Sequence, residues 1–177
     1  MANEVTATAF FSLLLLLIQD RIKNELPEIL WDDQDMGQLE SYEIKPAVEF
    51  PCTLIDFLNT TYDQMGNQEQ WGNQFIQFKL GFAPFSSTNS ATPVKYRQKA
   101  LEYYELEDKL YKVFQGWDAD GLCQPLTRIS AVKQERNDKY RARVITFSTT
   151  FQDDGATLAT VKANRPDLVL DIDDDGE

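Results

Sequence analysis

Residues 73–82 read NQFIQFKLGF. Ile76, Phe78, Leu80 and Phe82 fall on one side of an extended chain, and Gln77 and Lys79 fall on the other. A period of two with one apolar side marks a half-buried strand. Such a strand needs partners on both edges and a cover over its apolar face.

Partners lie on either side in sequence. Residues 46–58, PAVEFPCTLIDFL, form an apolar run rich in strand-favouring side chains. Pro51 has no ladder donor, which predicts a sheet edge or a bulge there. The polar stretch 59–72 between the two runs reads as a loop. Further on, residues 126–135 and 140–152 are two more strand candidates, separated by Arg136-Asn137-Asp138-Lys139. Turn residues between two such runs predict a hairpin. In the second, Ile145, Phe147 and Phe151 alternate with Thr146, Ser148 and Thr150.

The cover should come from helices. Thr92 and Pro93 supply an N-cap and a first helical position, and Gly116 supplies a stop. Between them, Tyr96, Ala100, Tyr103, Leu106, Leu110 and Val113 make one helical stripe. Glu105 with Lys109, and Asp108 with Lys112, are spaced for favourable pairs on the outer face. Residues 5–26 predict a second helix, stopped by Pro27. Phe10, Leu13, Leu14, Leu17 and Leu26 recur at helical spacing, while Phe11, Leu15 and Leu16 occupy the opposite side. A helix apolar all round must be covered all round. Either a neighbouring subunit or loops of the same chain must cover the second side.

The expected fold is therefore α+β, in the order α-β-β-α-β-β. An antiparallel sheet of about four strands carries two helices on one face. Residues 1–152 form one domain, with a long polar connection at 27–45. Residues 153–177 form a flexible acidic C-terminal arm, with eight acidic residues against Lys162 and Arg165. A chain of 177 residues is long enough for such a core.

Composition narrows the function. The net charge is -12, from 29 acidic and 17 basic residues, so the chain has no general attraction for phosphate backbones or anionic lipids. It contains no histidine, which removes the commonest general base and metal ligand. Cys52 and Cys123 match no metal or redox spacing and are expected to be free and reduced. The apolar run at 10–18 is too short to span a bilayer and lacks the basic start of a signal peptide.

The carboxylates suggest no site. Asp171, Asp173, Asp175 and Gly176 match the opening of a calcium loop, but that loop needs a glutamate at its twelfth position. The sequence reaches the seventh at Glu177, and a solvated acidic segment is expected. Asp33 and Asp35, and Asp118 and Asp120, read as turn aspartates. No two acids are singled out as a facing pair for glycoside hydrolysis, and the eight glycines are scattered rather than gathered in a phosphate loop. No catalytic, cofactor-binding or metal-binding residue is expected. Basic residues do gather: Arg128, Arg136, Arg141 and Arg143, with Lys133 and Lys139, lie on the predicted hairpin. They form either a complementary surface for an acidic neighbour or a solvated face.

Five stretches together resemble the tail terminator, or tail-completion, proteins of long-tailed bacteriophages. They are the opening helix around 10–22, PAVEFPCTLID at 46–56, FIQFKLGF at 75–82, ALEYYELEDKLYKVFQGW at 100–117 and PLTRISAVKQERNDKYRARVITFSTTF at 125–151. The similarity covers about residues 5–152 and is one of pattern and spacing, with no invariant chemical motif. The 27–45 connection and the acidic arm depart from that pattern. The resemblance implies a non-enzymatic virion protein, assembled in the host cytoplasm, that forms a ring of usually six copies. The ring caps the tail-tube protein, meets the head-side connector or stopper, and lets double-stranded DNA through without specific binding. No cofactor and no membrane are implied. On this reading, Phe11, Leu14, Leu15, Leu16, Arg128, Arg136, Arg141 and Arg143 carry subunit contact. The competing expectations are a head–tail stopper, adaptor or other minor neck protein, and a monomeric carboxylate enzyme of the cytosol.

Overall fold

The computed structural model describes residues 8–40, 48–83, 87–136 and 140–156. It contains α1 (Phe10–Glu25), β1 (Trp31–Gln34), β2 (Cys52–Phe57), β3 (Thr61–Gly66) and β4 (Glu69–Phe82). These are followed by α2 (Val94–Lys99), α3 (Glu102–Phe114), β5 (Thr127–Gln134) and β6 (Arg141–Asp153). The fold is α+β. Its sheet has six strands in the order β1-β2-β4-β6-β5, with β3 also paired to β4.

The strand at 73–82 is the middle of the sheet, and it is longer than its alternation predicts. β4 pairs with β6 along its whole length, from Gln70 opposite Asp153 to Phe82 opposite Arg141. Its other edge is shared by β2, which pairs with 76–81, and β3, which pairs with 69–73. All pairings are antiparallel except that of β1 with β2.

Two strands correct the expected count of four. β1 lies inside the predicted 27–45 loop and runs parallel to β2, with Trp31 opposite Cys52. Its sequence WDDQ carries no apolar alternation, because it is a charged edge strand. β3 lies inside the predicted 59–72 loop, and all six of its residues are exposed. It exists because β4 offers a free backbone edge, and a turn at Asn67 and Gln68, with φ of 52° and 64°, returns the chain. Buried Gln74 plugs the break between β2 and β3: its amide nitrogen donates to the carbonyls of Leu58 and Phe75 at 3.1 and 2.6 Å, and its oxygen accepts from Thr60. Pro51 sits just outside the ladder, and β2 is an inner strand rather than an edge.

The helices pack on one face, as expected. Leu14, Ile18 and Ile22 from α1 join Leu106, Leu110 and Phe114 from α3. Both sets cover Ile55, Ile76, Phe78, Leu80, Ile145 and Phe147. Phe78 sits at the centre, with ring centroids 4.6 Å from Phe114 and 5.7 Å from Phe147. Gly72 leaves room for the Phe151 ring, which lies where a β-carbon would be; Phe10 stacks on that ring at 3.6 Å. A smaller cluster of Leu39, Cys52 and Leu54 fills the opposite face near β1.

The predicted helix at 93–115 is broken into α2 and α3 at Ala100 and Leu101. Pro93, rather than Thr92, takes the N-cap position, without a side-chain cap. Gly116, with φ of 79°, follows the end of α3. Asp108 does pair with Lys112, whereas Lys109 reaches across to Glu28 of the α1–β1 connection. The hairpin of β5 and β6 is present, with Ile145, Phe147 and Phe151 buried. The acidic stretch from 157 onward lies outside the described residues.

Candidate functional site: a basic, tyrosine-lined corner

β5 and β6 begin the site. Along β6, Arg141 and Arg143 stand opposite Phe82 and Leu80 of β4, on the helix-covered face. At this end of the sheet α3 is beginning, and Tyr103 and Tyr104 meet the arginines. Lys133 of β5 is directly opposite Arg143. Arg136, just after β5, and Tyr140, just before β6, complete a cleft of 440 Å³ also lined by Thr88 and Gln134.

Each cation is held differently. Arg143 makes a two-pronged contact with Glu107 of α3 at 2.6 and 2.9 Å, with side chains only 17% and 11% exposed. A planar guanidinium matches a carboxylate in this way. That hydrogen bonding outweighs burial and raises the Arg143 pKa. Arg141 donates to the Ala100 carbonyl at 3.2 Å, at the break between α2 and α3, and its guanidinium lies 5.1 Å from the Tyr103 ring centre. Arg136 lies 3.7 Å from Glu40 and donates to the Leu39 carbonyl. The Tyr103 and Tyr104 rings are 4.0 Å apart. Desolvation, then the hydrogen bond with Tyr104, pushes the Tyr103 hydroxyl up to about 12.

A neighbouring ion cluster ties this corner to the β1–β2 connection. Lys79 of β4 pairs with Asp35 and with Glu40, the latter at 3.1 Å. Burial pushes the Lys79 pKa down, but the bonds to both carboxylates outweigh it and leave it raised. Gln134 donates to the same Glu40 at 3.2 Å.

The structure thus divides the expected contact residues. Arg136, Arg141 and Arg143 converge, together with Lys133. Arg128 does not: it lies five positions before Lys133 on β5, with its guanidinium 3.6 Å from the Tyr111 ring centre. Lys139 falls outside the described residues. On α1, Leu14 is 0% exposed and belongs to the chain's own core, so no neighbour reaches it. Phe11 and Leu15 are half-buried against the same core. Leu16 is 51% exposed. The helix is therefore not in need of cover all round: beside Leu16 its outer side carries Ser12, Asp20 and Lys23, all exposed.

Sequence reasoning missed the two tyrosines and Glu107 as parts of this corner. Tyr103 belongs to the apolar helical stripe, and Glu107 lies one helical turn beyond it. Their closeness to Arg141 and Arg143 arises only when α3 crosses the end of β6.

The aspartates behave as turn and pairing residues. Asp33 accepts from the Gln34 backbone at 2.8 Å, Asp35 accepts from Gly37 at 2.8 Å, and the Asp118 carbonyl accepts from Gly121 and Cys123. Among the described residues no group of three or more acids, cysteines or histidines is placed to hold a metal. Both cysteines are buried and unpaired, and burial pushes the Cys52 thiol up to about 11. Among the described residues no helix is long and apolar enough to cross a membrane. No protein-family model and no curated protein matches this chain.

Proposed function

We propose that this protein is a tail terminator: a non-enzymatic virion protein forming a ring, six copies being the expected number. The ring caps the tail tube and joins it to the head-side connector. One observation carries the reading: a chain of net charge -12 concentrates Lys133, Arg136, Arg141 and Arg143 around one cleft at one end of β6. Head-to-tail contacts that close a ring need two unlike patches on each copy. A basic patch on an acidic protein supplies one patch, and the acidic remainder supplies the other.

Two further features support it. The β3–β4 hairpin extends past β2 with Tyr62 and Met65 exposed, which suits contact with a neighbour. The acidic balance suits a lumen that must not hold DNA, because a cationic lining would bind phosphates and stall passage. Locating the chain in intact particles by electron cryo-microscopy tests the reading. Density for the chain as a ring between tube and connector is expected. Density at the connector itself would make it a stopper or adaptor, and its absence from the particle would end the proposal.

A further inference from the structure

α2, VKYRQK, is six residues long and buries none of its side chains. Val94 and Tyr96 are more than half exposed. A helix this short is not stable through its own backbone bonds. Only its C-cap, Ala100, joins the interior, and the Ala100 carbonyl accepts from Arg141. Lys95, Arg97 and Lys99 form no ion pair among the described residues. Glu102 opens α3 three positions beyond Lys99, yet does not pair with it. No acid occurs anywhere in residues 70–101, and the other cation of that stretch, Lys79, is already held by Asp35 and Glu40. α2 is therefore an exposed basic helix, without counter-charge among the described residues, on a chain of net charge -12.

Reach and charge identify what covers it. Residues 171–177, DIDDDGE, lie beyond the described residues and place five acids in seven positions. β6 runs from Arg141, which touches the C-cap of α2, to Asp153. At 13 residues it separates those ends by about 40 Å. Lys95 lies further along α2 from Ala100, by about 8 Å at 1.5 Å per residue. The 18 residues from Asp153 to Asp171 extend up to about 60 Å. The acidic segment can thus reach the whole of α2 in its own copy. A contact within one chain also avoids the cost of association, and a tether that spans the gap holds its end at about millimolar effective concentration. A second copy or a separate acidic protein at micromolar concentration would have to displace it. We propose that residues 171–177 lie across α2 of the same copy, as an autoinhibitory cover over its three cations. The cover keeps phosphate backbones, which attract exposed lysine and arginine, away from α2. This contact does not depend on the ring.

Carbodiimide cross-linking of the free full chain at micromolar concentration tests it, with equal amounts of nitrogen-14 and nitrogen-15 protein. Mass spectrometry should find Lys95 or Lys99 joined to an acid within 171–177, in single-isotope pairs. Arg97→Gln should lower that yield about two- to five-fold, as expected for loss of one partly exposed charge contact. Converting Asp171, Asp173, Asp174 and Asp175 together to Asn should shift the amide resonances of residues 94–101, but not those of β4, with an unchanged circular dichroism spectrum. Mixed-isotope pairs would assign the segment to a second copy and overturn the proposal. Absence of the cross-links, or α2 resonances that do not move, would overturn it too. So would retention of the parent chain on an immobilised duplex oligonucleotide that Lys95→Gln with Lys99→Gln abolishes, because α2 would then be uncovered.

Discussion

Leu14 and Leu16 are two positions apart on α1, yet the structure predicts opposite outcomes for the same substitution. Leu14 is 0% exposed, among Ile18, Ile22 and the β4 core residues. Leu14→Asp removes a buried side chain, a loss of about 2–5 kcal/mol for truncation alone. It also buries a carboxylate without a partner, at a further cost of several kcal/mol. The sum is comparable to the roughly 5–15 kcal/mol that holds a domain together, so Leu14→Asp should fail to fold at all. Leu16 is 51% exposed. About half of its burial energy is at stake, on the order of 1 kcal/mol, and a carboxylate there remains hydrated. Leu16→Asp should therefore fold with a nearly unchanged urea midpoint, and should weaken assembly if α1 faces a neighbour. Denaturation curves paired with light scattering separate the two effects. A soluble, cooperatively unfolding Leu14→Asp variant would refute the core assignment. A Leu16→Asp variant that assembles like the parent would remove α1 from the interface.

Other positions give independent checks. Phe78→Ala, at the centre of three phenylalanine rings, should cost about 3–5 kcal/mol by urea denaturation; a loss below 1 kcal/mol would contradict the packing. Gly72→Ala should destabilise by about 1–3 kcal/mol, because the Phe151 ring occupies the space of the added methyl; Phe151→Leu in the same chain should recover part of it. Arg143→Met should destabilise more than the pair Arg143→Met with Glu107→Gln, since the single change leaves a largely buried carboxylate unpaired; equal losses would mean the pair is uncoupled. Alkaline pH should weaken the fold. Tyr103 and Lys79 both have raised folded-state pKa values, so their contributions are complete below the ordinary 10.0 and 10.5 and decline as pH rises through the folded values. A thermal midpoint that rises between pH 10 and 12 would contradict that sign.

Legibility in the sequence followed burial. The middle of β4, the β5–β6 hairpin and the cores of α1 and α3 were visible because each buries one face and so carries a period. β1 and β3 were invisible for the converse reason. WDDQ at an edge and TYDQMG on an exposed arm are held by backbone hydrogen bonds to β2 and β4, which leave no hydrophobic pattern. The break at Ala100 is likewise unmarked by glycine or an internal proline, and it is the Ala100 carbonyl that receives Arg141. The basic cluster was legible as a cluster because its members are close in sequence. Its geometry was not, since Tyr103, Tyr104 and Glu107 reach Arg141 and Arg143 from a helix more than thirty positions away from them. The apolar run at 10–18 misled in one respect. Phe11, Leu15 and Leu17 are absorbed by the flanks of the chain's own core and Leu13 is partly buried, leaving Leu16 as the one leucine of the run that is exposed.

The mass of the purified protein in solution, measured by light scattering alone and then with the tail-tube subunits that the proposed role requires, bears most directly on the account. A complex holding about six copies of the 20.3 kDa chain, at least when tube subunits are present, is the predicted result. A 20.3 kDa species under both conditions would contradict it.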